Sequence, residues 1–375
     1  MRIVAADLFR YRLPLVEPLR FAFGTLAHRA GVLLCLTAED GTEGWGEAAP
    51  LPGYSPDTLD DVLAEAPPLL RRYREGDARL DGFVASFERT FRRPKGRGRQ
   101  LYPPSLRHAE AAALTDLGAR LQGTSLDRAL AELIDPQRPA TPTSQVAVQA
   151  LLVGTDEEVS AQARAAREAG YRAAKLKVGQ QVVAADAARV CAVADDLGPE
   201  VLLRLDANQA WTAEQAADFA QQVRGLPIAF VEEPLREPEP AALRALQHAG
   251  LPIALDESVD GRTPVHTLRR LRFVDAIVLK PSLGRGLAFL HTWHLAVGVP
   301  MAFVVSSAFE SGVGTRHSIA LAAALGGGPA GLDPYRRLAD DVQTERLPLD
   351  GPLVDVAAAL ALREVDLSRL EPVER

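Results

Sequence analysis

Cysteine is nearly absent from this chain of 375 residues: Cys35 and Cys191 stand far apart, outside any CxxC or Cys/His cluster. That excludes a disulfide framework and a structural zinc site, and it fits a reducing cytoplasm. No apolar stretch reaches the roughly 18 uninterrupted residues that a membrane span requires. The first residues interleave arginines and a glutamate with apolar side chains and form no basic-then-apolar leader, so neither export nor membrane insertion is expected. Lysine is scarce as well, with Lys95, Lys175, Lys177 and Lys280 the only ones among 42 basic residues. Arginine keeps its proton in a protein whereas lysine can lose it, so the few lysines mark places where a titrating amine is needed. Excess positive charge is missing too. A formal net charge of -7 argues against a dedicated nucleic-acid or anionic-membrane partner and suits a small-molecule one. The basic run Arg92 to Arg99 has no interleaved aromatics and reads as a solvated loop. Gly326-Gly327-Gly328 and Gly284-Arg285-Gly286 complete no phosphate-loop motif, so they read as turns and imply no nucleotide cofactor.

What is present suffices for a large core, since 47% of the residues are hydrophobic. The length accommodates a barrel of about 200 to 250 residues plus a smaller unit. Residues 1–125 read as an α+β capping domain. In it, Arg2 to Leu15 is an edge strand, and Val32 to Thr37 turns through Asp40-Gly41 into a returning strand, Glu43 to Glu47. Ser55-Pro56-Asp57 opens a helix that Pro67-Pro68 disturbs, and a second helix runs from about Leu106 to Leu121. Residues 126–144 are assigned as linker, with Asp135 to Ser144 its Pro- and Thr-containing core. From 145 to 333 short apolar runs alternate with Ala-, Arg- and Glu-rich helical stretches. The runs are Val146 to Leu152, Ala173 to Val178, Val201 to Ala207, Ile228 to Val231, Ile253 to Leu255, Ala276 to Leu279, Ala302 to Val305 and a weak Ala330 to Leu332. Eight such units predict an α/β fold of (β/α)8, TIM-like type. Residues 334–375 are expected to return to the capping domain.

The strands end in polar residues: Lys175-Leu176-Lys177, Arg204-Leu205-Asp206-Ala207-Asn208, Glu232-Glu233-Pro234, Asp256-Glu257-Ser258, Lys280-Pro281 and Ser306-Ser307. Side chains alternate faces along a strand, so inward positions near the rim converge on the barrel mouth. Taken singly, a strand-end carboxylate caps the next helix or pairs with arginine. Three from adjacent strands, Asp206, Glu232 and Asp256, supply the hard oxygen ligands that Mg²⁺ prefers, with Mn²⁺ as a substitute. Lys177 and Lys280 flank them, and an amine beside a cation has its charged form disfavoured, which suits a base near neutral pH. The bland alternative is two ammonium groups neutralising the carboxylates. His291 and His294 share a helix face outside the barrel, too remote from the mouth to serve a metal there.

Together these ordered motifs resemble the muconate-lactonizing subgroup of the enolase superfamily. Within it, Gly44-Trp45-Gly46-Glu47, Pro50-Leu51-Pro52-Gly53, Leu203 to Asn208 and Ser306 to Ser311 with Gly314 are most similar to the o-succinylbenzoate synthase branch. The resemblance implies a Mg²⁺-dependent dehydration by α-proton abstraction on a small carboxylate substrate, on the route to menaquinone. By it Asp206, Glu232 and Asp256 are metal ligands, Lys177 is the acid/base and Lys280 stabilises the enolate. Lys175, Arg204, Asn208, Ser306 and Ser307 become substrate-facing or supporting groups. N-acylamino acid racemase, muconate cycloisomerase and dipeptide epimerase share the scaffold. The epimerases carry Asp-x-Asp at strand eight, where this chain has Gly331-Leu332-Asp333-Pro334, and Gln149 stands where relatives often carry Asn. A barrel that binds its ligand without turnover is the contrasting class; loss of Lys177 without loss of ligand binding would separate the two. Cover for the mouth is expected from Phe21 to Arg29 and Pro50 to Ser55. Oligomeric state is not legible.

Overall fold

The computed structural model describes residues 2–21, 24–75, 102–137, 139–259, 263, 265–284, 286, 289–290, 293 and 301–373. Arg92 to Arg99, Arg285, His291 and His294 lie outside them. A four-stranded antiparallel sheet opens the chain, built from β1 (Ile3–Phe21), β2 (Gly24–Ala38), β3 (Glu43–Ala48) and, from the far end of the sequence, β13 (Glu371–Pro372), in the order β13-β1-β2-β3. The Asp40-Gly41 turn behaves as the sequence predicts, with Gly41 at φ 84°. The first strand is longer than expected. Arg20 and Phe21 pair with Thr25 and Gly24, so the segment expected as a covering loop from Phe21 to Arg29 is largely hairpin.

Two helices, α1 (Leu59–Glu75) and α2 (Pro104–Leu121), cover the sheet. Thr58, three residues beyond the expected Ser55, opens α1. Its backbone N–H and hydroxyl both donate to Asp61 Oδ2 (2.9 and 2.7 Å), and its Oγ1 accepts from Asp61 N. Pro67-Pro68 does not end the helix, contrary to the sequence reading. Leu69, Leu70 and Tyr73 beyond it are buried, and that tertiary packing outweighs the roughly 3 kcal/mol an interior proline costs. Helix α3 (Leu126–Ile134) occupies part of the stretch assigned to linker; Leu126, Leu130 and Leu133 on it join the main core.

The first barrel run is split. β4 (Gln145–Ala147) pairs antiparallel with β12 (Leu353–Asp355), and only β5 (Ala150–Leu152) enters the barrel. After it come α4 (Asp156–Glu168), β6 (Ala173–Lys177), α5 (Val183–Leu197), β7 (Leu202–Asp206), α6 (Ala213–Gln222), β8 (Ile228–Glu232), α7 (Pro240–His248), β9 (Ile253–Leu255), α8 (Val265–Arg270), β10 (Ala276–Leu279), β11 (Ala302–Val305) and α9 (Gly312–Ala324). Among the described residues the strands form a seven-stranded parallel sheet in sequential order from β5 to β11. The weak eighth run is not a strand but a seam. Ala330 bridges Val148 and Gly331 bridges Ser306, and Gly331 N donates to Val305 O while Gln149 N donates to Ala330 O, so the curled sheet meets itself there. A methyl on Gly331 would stand 2.6 Å from Ser306 Oγ, so the approach needs a glycine. Among the described residues no helix is long and apolar enough to cross a membrane.

Candidate active site

An apolar layer fills the barrel interior: Phe230, Ala254, Ala276, Val278 and Val304 form a cluster of their own. Two residues further along each strand, on the same inward face, the layer becomes polar. Phe230 leads to Glu232, Ala254 to Asp256, Val278 to Lys280 and Val304 to Ser306; Lys175 and Arg204 lead likewise to Lys177 and Asp206. The register confirms the alignment, with Lys177 opposite Asp206 and Asp206 opposite Glu232.

Lys175 Nζ lies 2.8 Å from Asp206 Oδ2 and 2.7 Å from Glu232 Oε2. Burial pushes its ammonium down, but the Asp206 and Glu232 charges hold it well above the usual lysine range. Lys280 Nζ pairs with Asp256 Oδ2. Burial, and next the Asp206 charge, raise the Glu232 carboxyl well above the ordinary carboxylate range, opposed by Lys175. Lys177 ends β6 exposed and has no ion-pair partner among the described residues. The neutralising role therefore falls to Lys175 and Lys280, and Lys177 is the amine left over.

Among the described residues no three His, Cys, Asp or Glu side chains converge as a metal cluster; the carboxylates are paired with the two ammonium groups. The donor chemistry nonetheless fits a hard divalent cation: carboxylates from three neighbouring strands, with Glu232 Oε1 buried and accepting no hydrogen bond. Lys280 Nζ stands 4.0 Å from that oxygen.

Arg204 sits one layer down. Its Nη1 donates to Gln149 Oε1 and to Pro329 O, each at 2.6 Å, and its guanidinium lies 5.1 Å from the Phe230 ring centre. Burial lowers it to about 10, so it stays a cation at neutral pH, and its place is beneath the mouth. Asn208 donates its backbone N–H to Asp206 Oδ1 (3.2 Å). Ser306 is buried against the seam, and Ser307 donates to Glu310 Oε2 (2.6 Å).

The cap reaches this rim. Leu51 packs on Leu283 and Ala308, and Tyr54 feels the charges of Lys280, Asp206, Glu257 and Asp256, as expected for Pro50 to Ser55. Two residues absent from the sequence-derived set hold the junction. Arg29, 1% exposed, donates to Pro50 O (2.7 Å), Ala49 O and, across the interface, Phe309 O (3.2 Å). Glu47 accepts from Ser311 N (2.9 Å), Ser311 Oγ (2.5 Å) and Gly314 N (2.8 Å) at the start of α9, and from Tyr11. The Gly-Trp-Gly-Glu motif contains Glu47, yet nothing in it distinguishes a buried carboxylate from a surface one. Glu233 beside Glu232 carries no more sequence signal than Glu47 does.

A family profile described as "Enolase C-terminal domain-like" matches residues 158–361, and one described as "MenC, N-terminal domain" matches 3–87. The chain is 31% identical over 338 residues to o-succinylbenzoate synthase of Edwardsiella ictaluri, covering 88% of this chain and 89% of that one. It is 28% identical to L-Ala-D/L-Glu epimerase of Bacillus subtilis, with 77% and 75% covered. Protein PHYLLO of Arabidopsis thaliana is 32% identical, but the match spans 85% of this chain and only 20% of that much longer protein. Among solved structures, a substrate-liganded complex of the B. subtilis epimerase superposes with a TM-score of 0.78 at 25% identity, covering 95% and 96% of the two chains. Muconate lactonizing enzyme from Pseudomonas fluorescens gives 0.78 at 23%, with 98% of each covered, a likeness of fold. A profile over more than half the chain, a cap profile beside it and relatives along nearly the whole length agree with the mouth's ordered motifs: the chain belongs to the enolase superfamily, in its muconate-lactonizing, o-succinylbenzoate-synthase-like subgroup.

Proposed function

We propose that the protein is an o-succinylbenzoate synthase, converting 2-succinyl-6-hydroxy-2,4-cyclohexadiene-1-carboxylate to o-succinylbenzoate by loss of water. The observation that carries the reading is the division of labour among the lysines, two tied to carboxylates and Lys177 without one among the described residues. Lys177 would take the proton α to the substrate carboxylate and return it to the hydroxyl on the neighbouring ring carbon, whose C–O bond breaks to release water and leave an aromatic ring. Lys280, on the far side of the acidic residues, would stabilise the charge that develops on the carboxylate. Asp206, Glu232 and Asp256 would hold Mg²⁺ or Mn²⁺, which when bound supplies positive charge beside that carboxylate. The cap segment around Leu51 and Tyr54 would exclude water from the mouth.

The substrate assignment draws on the cap as well as the barrel, since the MenC-type profile matches residues 3–87. Dipeptide epimerisation is the second reading, favoured by the likeness to the B. subtilis epimerase. Against it, the seam offers one acid, Asp333, and Arg336 already lies 3.4 Å from its carboxylate. Purified protein given the cyclohexadiene carboxylate should produce the aromatic product, read by ultraviolet absorbance. Solvent deuterium entering the α-carbon of dipeptides, seen by NMR with no dehydration of the cyclohexadiene, would establish the epimerase instead.

A further inference from the structure

Glu233, Gln209 and Asn208 adopt the left-handed backbone region that non-glycine residues usually avoid, at φ 47°, 60° and 42°. All three follow a carboxylate of the acidic set within three residues. In a continuing strand Glu233 would point to the outer face, opposite Glu232; its side chain instead reaches the end of the next strand. Glu233 is fully buried. Its Oε1 accepts from the backbone N–H of Asp256 (2.7 Å) and of Ser258 (2.9 Å). Its Oε2 accepts from Ser258 Oγ (2.5 Å) and from Gln209 Nε2 (3.1 Å). Four donors use the acceptor capacity of a carboxylate, so this side chain is not available as a fourth ligand. Gln209 closes the circuit by donating its backbone N–H to Glu233 O (2.8 Å), while Asn208 N donates to Asp206 Oδ1 (3.2 Å).

We infer that Glu233 is a positioning residue that, through Gln209 and Ser258, fixes Asp256 relative to Asp206 across the mouth. Backbone strain persists only where its surroundings over-determine it, and here the strained residues are the ones that join β7 to β8 and β9 at the rim. A carboxylate whose own backbone amide is gripped keeps its direction when its counter-ion moves, and supporting shells of this kind tune cation affinity. The inference rests on the proposed reading of Asp206, Glu232 and Asp256 as the cation-holding set.

With four lysines in the chain, isotope-labelled lysine side chains give an NMR spectrum simple enough to assign. Glu233→Gln and Ser258→Ala, each checked for folding by circular dichroism, should move the Lys280 signal, because Lys280 contacts Asp256. Calorimetric titration with Mn²⁺ should show affinity weakened about 10- to 100-fold in Glu233→Gln and less in Ser258→Ala. A merely structural Glu233 would lower the thermal midpoint without moving the Lys280 signal, and an unmoved signal in a folded variant overturns the inference. If the wild type binds no Mn²⁺ while the Lys280 signal still moves, positioning stands and the cation reading of the site fails.

Discussion

Lys177 and Lys280 are the same residue type on either side of the acidic set, yet substitution should treat them differently. Lys177→Arg is expected to be nearly as damaging as Lys177→Ala, about 10²- to 10⁴-fold in kcat, since a guanidinium cannot surrender its proton to act as a base. Steady-state turnover of the two variants checks this, and wild-type turnover in the arginine variant would reduce Lys177 to an electrostatic partner. Asp206→Asn, Glu232→Gln and Asp256→Asn should each abolish most activity with the circular dichroism spectrum intact, because a neutral amide keeps the shape and loses the charge that holds a hard cation. Undiminished turnover in excess chelator would exclude the divalent-ion assignment. Lys177, Asp206, Glu232, Asp256, Lys280 and Ser306 lie at one rim because each stands two residues beyond an inward position of its strand. Arg204 shares that face too, but one layer deeper, so identity and spacing alone could not separate a rim position from a floor position.

Among the elements, β3 and α2 lie so close that Gly46 has no room for a side chain: a Cβ there would fall on Ala109 O and stand 2.7 Å from Ala113 N. Gly46→Ala should therefore destabilise the cap sharply although its backbone conformation is ordinary. Glu47→Ala, one residue on, strips the acceptor from Ser311 N and Gly314 N at once. It should cost about 3 kcal/mol, since each buried donor left unsatisfied costs roughly 1 to 3, read from the urea midpoint. These elements also show how far a sequence speaks. The barrel strands from β6 to β11 were legible because each is a short apolar run closed by polar residues. The division of Val146 to Leu152 was not, since an unbroken apolar run looks the same whether it serves one sheet or two. Helix α1 runs through Pro67-Pro68 and α3 takes up the first part of the assigned linker for one reason: packing against partners distant in sequence decided both. At Gln209 and Glu233 there was no signal to read, because no glycine announces the left-handed turn.

Across the whole molecule the cap and barrel are joined by buried polar contacts, and at one of them a response to acid is expected. His317 on α9 places Nδ1 2.9 Å from Val313 O and Nε2 3.1 Å from Ala112 O in the cap. Burial, and next the Arg316 guanidinium, hold its imidazole below the ordinary 6.5. Below pH 6.5 the unfolded chain binds a proton that the folded one resists, so the unfolded state gains protons and stability falls as pH drops. Above 6.5 the contribution is intact. The urea midpoint should decline between pH 7 and pH 5 more steeply in the wild type than in His317→Gln; equal slopes would remove His317 from the acid response.

The pairing of β13 with β1, Phe9 opposite Pro372 and Arg10 opposite Glu371, sets an order in time. The first strand of the cap leaves the ribosome before any of the barrel exists, while the strand that lies on its edge is translated after all of it. Glu47 likewise waits for Ser311 and Gly314, more than 260 residues downstream. During synthesis the cap sheet therefore has an open edge, and Glu47 has only its cap partner Tyr11, until the barrel and the C-terminal strand have emerged, so this edge and this junction are the last parts of the cap to be completed.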